Sequence, residues 1–317
     1  MQKIVIIGTS PIVSFHIKAL REVGLEPIAI ASSNLNSTNV ENFAIKNKIS
    51  KFFPNWKKML DEQKYDGILI ATKIEHTIEI LEESIKYNIP ILVEKPVSFD
   101  SKSLEKILQV AHDKIMVGYN RRYYRTVKHV KKNVDTKKEF SQSSMIAPET
   151  PTIRKFFDNT SHCIDMLHFI FGEIHLEFVK KIIFNDQIRG VVAIFSTEQN
   201  DTIQFTGNWG TSDNFSLSTY IGKKKLELRP FEKLKTFEGM DIMEPTEESP
   251  IRKYIPKKIE TIELETIDGK IKPGFYQQAR EFAQMIKTGS KSENAASLID
   301  AKKTIEICEN LIGKYTK

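Results

Sequence analysis

The chain has 317 residues, 40% of them hydrophobic and 28% charged, which suits a globular protein of two domains and a core that needs no disulfide or metal staple. The formal net charge of +6 comes largely from lysines such as Lys128, Lys131 and Lys132, scattered as a solvated surface; no basic stripe with interleaved aromatics speaks for a nucleic-acid partner. Two distant cysteines, Cys163 and Cys308, the lack of a bilayer-length apolar run, and an N-terminus that runs straight into a strand point to a cytoplasmic protein with no membrane partner.

Taken in chain order, Lys3–Ile7 is a β-branched strand closed by Gly8, and Ile12–Val23 a helix closed by Gly24. Strands follow at Pro27–Ala31, Gly67–Ala71, Pro90–Val93 and Ile115–Tyr119. Helical patterns at Val40–Lys48, Thr77–Tyr87 and Leu104–Ala111 alternate with them. Apolar strands alternating with amphipathic helices predict a parallel sheet with helices on both faces. After Arg122 the pattern changes. Asp158–Phe171 is helical. Strands then run at His175–Phe184, Gly190–Ser196, Thr202–Trp209, Phe215–Ile221 and Lys225–Leu228, separated by turn residues, so a large, mostly antiparallel sheet is expected. Met240–Thr261, rich in Pro, Glu and Lys, reads as a surface loop, and Tyr276–Ile286 and Ala295–Leu311 return to helix. The expected division is an α/β domain over 1–122 and an α+β domain over 123–317, whose last helices have the option of packing back on the first domain.

The run Gly8-Thr9-Ser10-Pro11-Ile12-Val13 stands where a dinucleotide fingerprint has three glycines, of which it keeps Gly8. Ser10 can cap the next helix with Pro11 as its first residue, leaving the amides of Ile12 and Val13 to face a phosphate. A tight strand-to-helix turn without a ligand explains the same residues. The second strand ends in Ala31-Ser32-Ser33-Asn34. Many NAD sites have a carboxylate here for the adenosine ribose. Its absence removes a repulsion against a 2′-phosphate, yet no arginine follows, so NAD and NADP both stay open.

Three further runs fall in order: Val93-Glu94-Lys95-Pro96 at a strand end, Gly118-Tyr119-Asn120-Arg121-Arg122 at the next, and Asp158-x3-His162 opening a helix. Together with His16, Thr72 and the pattern around Phe275 and Phe282, they resemble the Gfo/Idh/MocA family of oxidoreductases. The resemblance implies a Rossmann-type domain joined to a substrate domain with a large open sheet. It implies NAD or NADP as cofactor, held by Gly8, Thr9, Ser10, Ile12, Ser32, Ser33, Thr72, Glu94, Lys95, Asn120 and Arg122. It also implies a catalytic set of Lys95, Asp158 and His162, and a cis bond at Lys95-Pro96. The sequence departs from the family pattern in its glycine loop, in Lys155-Phe156-Phe157, and in a short segment between Arg122 and Asp158.

Singly, these residues have plainer roles: Asp158 a helix cap, His162 a core histidine, Lys95 an exposed strand-end lysine, Arg122 a salt bridge. Jointly they suit sugar oxidation. A lysine would need its pKa lowered by roughly three units, about 4 kcal/mol, to act as base near neutrality. A histidine needs almost no shift. His162 is therefore the general base, and Lys95 a hydrogen-bond donor to the reacting oxygen. Asp158, four residues before His162, would lie on the same helical face roughly 6 Å away and orient the imidazole or bind a second hydroxyl. The expected function is hydride transfer between a nicotinamide and a sugar, amino sugar or nucleotide-sugar. The eroded glycine loop keeps a second function in view, a catalytically silent relative acting as a cofactor- or sugar-binding regulatory module. Redox-assisted glycoside cleavage is a third. An apolar sheet face without a covering helix predicts a homodimer or homotetramer.

Overall fold

A computed structural model of the protein describes residues 1–34, 39–149, 152–264 and 271–314. The chain forms two compact units, Met1–Tyr123 with Glu265–Lys317, and Tyr124–Leu264.

The first unit begins β1 (Gln2–Ile7), α1 (Pro11–Glu22), β2 (Leu25–Ala31), α2 (Asn39–Lys46), β3 (Lys51–Phe53), α3 (Trp56–Glu62), β4 (Gly67–Ile70), α4 (Ile74–Ile85), β5 (Ile91–Val93), α5 (Ser101–Leu108) and β6 (Ile115–Val117), then a 3-10 turn over Asn120–Tyr123. All six strands are parallel, in the order β3-β2-β1-β4-β5-β6. The order reverses between β1 and β4, and ligands of such sheets bind beyond the strand ends at that point. Ile4–Ile7, Ile68–Ile70 and Ile91–Val93 are fully buried, which is why these strands are continuous apolar runs. Ser50 and Asn55 flank β3 and α3, two short elements that the sequence reading did not separate.

The second unit contains α6 (Arg125–Asp135), β7 (Ser141–Glu149), α7 (Ile153–Lys155), a π-turn over Phe156–Thr160, α8 (Ser161–Phe171), β8 (Ile174–Phe184), β9 (Gln187–Thr197), β10 (Thr202–Trp209), β11 (Ser216–Ile221), β12 (Lys224–Leu228), β13 (Lys233–Met243) and β14 (Lys253–Glu263). The eight strands run in the order β14-β13-β12-β11-β7-β10-β9-β8. All neighbours are antiparallel except β7 and β10. One row is buried, including Met145, Ala193, Phe205, Leu217 and Leu226. Most of the alternate residues, such as Gln142, Ile194, Gln204 and Tyr220, are partly or fully exposed, as an antiparallel sheet covered on one face requires.

β7 runs through the middle of this sheet, yet opens Ser-Gln-Ser-Ser and was not predicted. Its inward serines are satisfied by polar partners: Ser143 Oγ donates to Thr219 Oγ1 at 3.1 Å, and Ser141 donates through N and Oγ to Asp201 Oδ1 at 2.7 and 2.9 Å. Asp201 also takes Lys137 Nζ at 3.0 Å, with both side chains buried. Such a pair is tolerated where hydrogen bonds satisfy the remaining lone pairs.

The surface loop predicted over Met240–Thr261 is instead largely a hairpin of β13 and β14. β12 pairs with β13 as far as Glu238; beyond that, Met240–Met243 pairs with Lys253–Pro256 as a free two-stranded ribbon. Charges and a proline suit a sheet edge, and Pro256 lies opposite Met240 where the register shifts. With both faces in solvent, the ribbon shows no apolar-polar alternation.

α9 (Phe275–Thr288) and α10 (Leu298–Ile312) return to the first unit. Ile271, Phe275, Ala279, Phe282, Met285 and Ala295 join the core formed by Ile4, Ile6, Ile17, Leu20 and Leu92. No helix among the described residues is long and apolar enough to cross a membrane.

Candidate active site

At the end of β1, Gly8 adopts φ +121°, and a Cβ there would lie 2.1 Å from the Ala71 carbonyl oxygen. A glycine is therefore required by the close approach of β4. Pro11 takes the first helical position of α1, where its missing N–H costs nothing. Ser10 has the extended backbone of a cap, but its hydroxyl does not cap the helix; it donates to the Ala71 carbonyl at 3.2 Å. Nor does Val13 offer a free amide, as the sequence suggested, because its N–H donates to the Ser10 carbonyl at 3.0 Å. The Val13 side chain is absorbed into the core and Ile12 packs against it.

Gly8, Thr9, Ser10, Ser32, Ser33 and Thr72 come together around a cleft of about 500 Å³, joined by Pro11, Asn34, Asn39, Ala71, Lys73 and His76. Ser32 is buried, and its Oγ accepts the Asn34 N–H at 3.2 Å. Thr72 and Thr77 hydroxyls pair at 3.0 Å, fixing the turn into α4. The sequence assigns no role to Lys73 or His76. Neither carries a motif of its own, and what brings them to the cleft is the first turn of α4.

At the end of β5, Glu94 is largely buried. Its Oε1 lies 2.6 Å from His16 Nε2, and its Oε2 accepts the Lys95 backbone N–H at 3.1 Å. The His16 ring meets Phe275 edge-on, with centroids 4.8 Å apart. The Lys95-Pro96 bond is cis, and Lys95 is half-buried. The 3-10 turn after β6 carries Asn120, whose Nδ2 donates to the Pro273 carbonyl at 3.3 Å. It also carries Arg122, buried 3.6 Å from Asp300. That bridge lies within the first unit.

In the second unit, the helix expected from Asp158 is a π-turn through Thr160, and the α-helix starts at Ser161. The regular four-residue spacing assumed between Asp158 and His162 therefore does not apply. Phe156 and Phe157 are fully buried, with Phe156 edge-on to Trp209 at 6.0 Å. These aromatics pin the π-turn to the sheet. Asp158 is half-buried and its carbonyl accepts the Ser161 hydroxyl at 3.3 Å. His162 is buried in the first turn of α8.

Residues 2–119 match the family described as "Oxidoreductase family, NAD-binding Rossmann fold". This stretch is similar to the Rossmann domain of the Gfo/Idh/MocA oxidoreductases. The sequence is 28% identical over 123 residues to an inositol 2-dehydrogenase of Rhizobium meliloti, a match spanning 34% of this chain and 37% of that relative. Across both units the fold is shared with an oxidoreductase of Agrobacterium radiobacter solved with NAD+, L-tartaric acid and magnesium (TM-score 0.75, 13% identity, 98% of this chain and 95% of that one). It is also shared with a UDP-N-acetylglucosamine 3-dehydrogenase of Acidithiobacillus ferrooxidans (TM-score 0.75, 11% identity, 98% and 96%).

The residues present fit a nicotinamide dinucleotide. The cleft lies where a parallel sheet of this order takes its ligand, and among the described residues its lining holds hydroxyls, amides, a lysine and a histidine but no carboxylate. The two missing glycines are compensated locally. The Ser10 hydroxyl is docked on Ala71, and Val13 is accommodated in the core.

Proposed function

We propose that this protein is an NAD(P)-dependent dehydrogenase or reductase acting on a hydroxyl or ketone of a polyol, sugar, amino sugar or nucleotide-sugar. The observation that carries the reading is Lys95 at the end of β5, set on the buried Glu94–His16 pair, in the same unit as the acid-free cleft. The inositol and UDP-N-acetylglucosamine dehydrogenases among its relatives support the substrate class.

A nicotinamide, when bound, supplies the hydride acceptor or donor. In oxidation, the hydroxyl proton passes to His162 as the carbon–oxygen bond becomes a carbonyl. The Lys95 ammonium donates a hydrogen bond to the reacting oxygen and stabilises its developing negative charge. Asp158 orients the imidazole or holds a second hydroxyl. Glu94 positions Lys95 by accepting its backbone N–H, and His16 holds Glu94 in turn.

Lys95→Ala should lower kcat by about 10²–10³-fold, while NADH and NADPH affinities measured by nicotinamide fluorescence stay within about twofold. Normal turnover in this variant would refute the assignment. A catalytically silent relative would bind cofactor without any turnover, and the same two measurements separate that reading.

A further inference from the structure

We infer that the cleft beyond β2 selects a dinucleotide phosphorylated on the 2′-oxygen of its adenosine ribose, with Lys73 and His76 supplying the donors an arginine supplies elsewhere. The inference rests on the oxidoreductase reading above and names the cofactor of that same site.

The adenosine ribose of a dinucleotide lies beyond the end of the second strand, where an acidic residue takes the 2′-hydroxyl of NAD. A carboxylate there repels a 2′-phosphate. In this chain Ser32 to Val40 contains no acid. Among the described residues, the cleft lining holds no carboxylate, and Glu41 and Glu75, the nearest acids along the chain, do not line it. Ser32 Oγ accepts the Asn34 amide, so its own O–H remains as a donor at the strand end. The lining also contains the exposed Lys73 and half-buried His76. Both sit at the start of α4, which the Thr72–Thr77 hydroxyl pair holds in place. Thus the cleft takes its cation from the β4–α4 turn, and no arginine stands in residues 32–40.

A 2′-phosphate adds close to two negative charges to a cleft that has a lysine and no acid. NADPH should therefore bind at least about tenfold tighter than NADH at moderate salt, with the ratio falling as salt rises. The whole protein is titrated with NADPH and NADH, and separately with 2′,5′-ADP and 5′-AMP as competitors. Lys73→Ala and His76→Ala should each weaken NADPH and 2′,5′-ADP by roughly three- to tenfold and leave NADH and 5′-AMP within about twofold. Ser32→Asp should reverse the preference by restoring the repulsion. Equal affinities, tighter NADH, or a Lys73→Ala protein with unchanged NADPH affinity overturns the selection while the oxidoreductase reading stands. Binding of neither nucleotide overturns that reading, and this inference with it.

Discussion

Gly118 bears on the catalytic role proposed for Lys95. A Cβ at 118 would lie 2.9 Å from the Glu94 carboxylate. That carboxylate cannot swing away without breaking its bonds to His16 and to the Lys95 amide. Gly118→Ala should therefore displace Lys95 and cut kcat about tenfold or more, with a smaller effect on KM, since misplacement of a reacting group by an ångström is costly. Steady-state kinetics on a variant with wild-type melting temperature checks this; unchanged kcat would show that Glu94 does not position the lysine. Asp300 plays a different part. Burial works against its charge, but the Arg122 guanidinium and the Ser297 amide and hydroxyl outweigh that and hold its carboxyl below the usual carboxylate range. A carboxyl lowered in the folded state stabilises the fold above the unfolded pKa near 4 and loses that contribution as pH falls through the folded value. Asp300 also closes a capping box with Ser297 at the start of α10. Asp300→Asn should cost about 1–3 kcal/mol in urea unfolding at pH 7. The difference should shrink at pH 3, below the unfolded pKa near 4, where the unfolded chain takes up a proton that the native carboxyl resists. An equal cost at both pH values would mean that the charge contributes nothing.

At the scale of elements, legibility followed burial. β4, β5 and β6 are buried throughout, and β1 from Ile4 to Ile7, and they read directly as apolar runs. α1 was legible to within a residue from Pro11 and Gly24. The sequence did not disclose β7, because its inward serines are satisfied by Asp201 and Thr219 across the sheet, and such partners are remote in sequence. It misread β14, because a ribbon wet on both faces has no period of burial. The glycine loop looked more damaged in sequence than it is in structure. Ser10 and Val13 find neighbours, Ala71 and the core, that local spacing cannot show. The spacing of Asp158 and His162 reads as one regular helical turn, and the π-turn there is not legible, since Phe156 is anchored on Trp209, remote in sequence.

For the whole molecule, the outer row of the second sheet bears on association. Phe178 and Ile194 pair across β8 and β9, and with Ile182 and Tyr220 they remain exposed. Apolar residues exposed together on a sheet face favour self-association. We propose a homodimer or homotetramer through this face. Light scattering at micromolar concentration should give two or four chain masses, and Ile194→Glu should lower the mass; a wild-type monomer would rule the assembly out. The division of the first unit into two stretches of chain carries one more consequence. Until α9 exists, the apolar side chains of α1 and β1 that share a core with Phe275, Ala279 and Phe282 lack that cover. A nascent chain leaving the ribosome must hold the cofactor half unfinished while the whole second unit is translated. The second unit, contiguous in sequence, is free to fold first. In this protein the half that is read earliest is completed last.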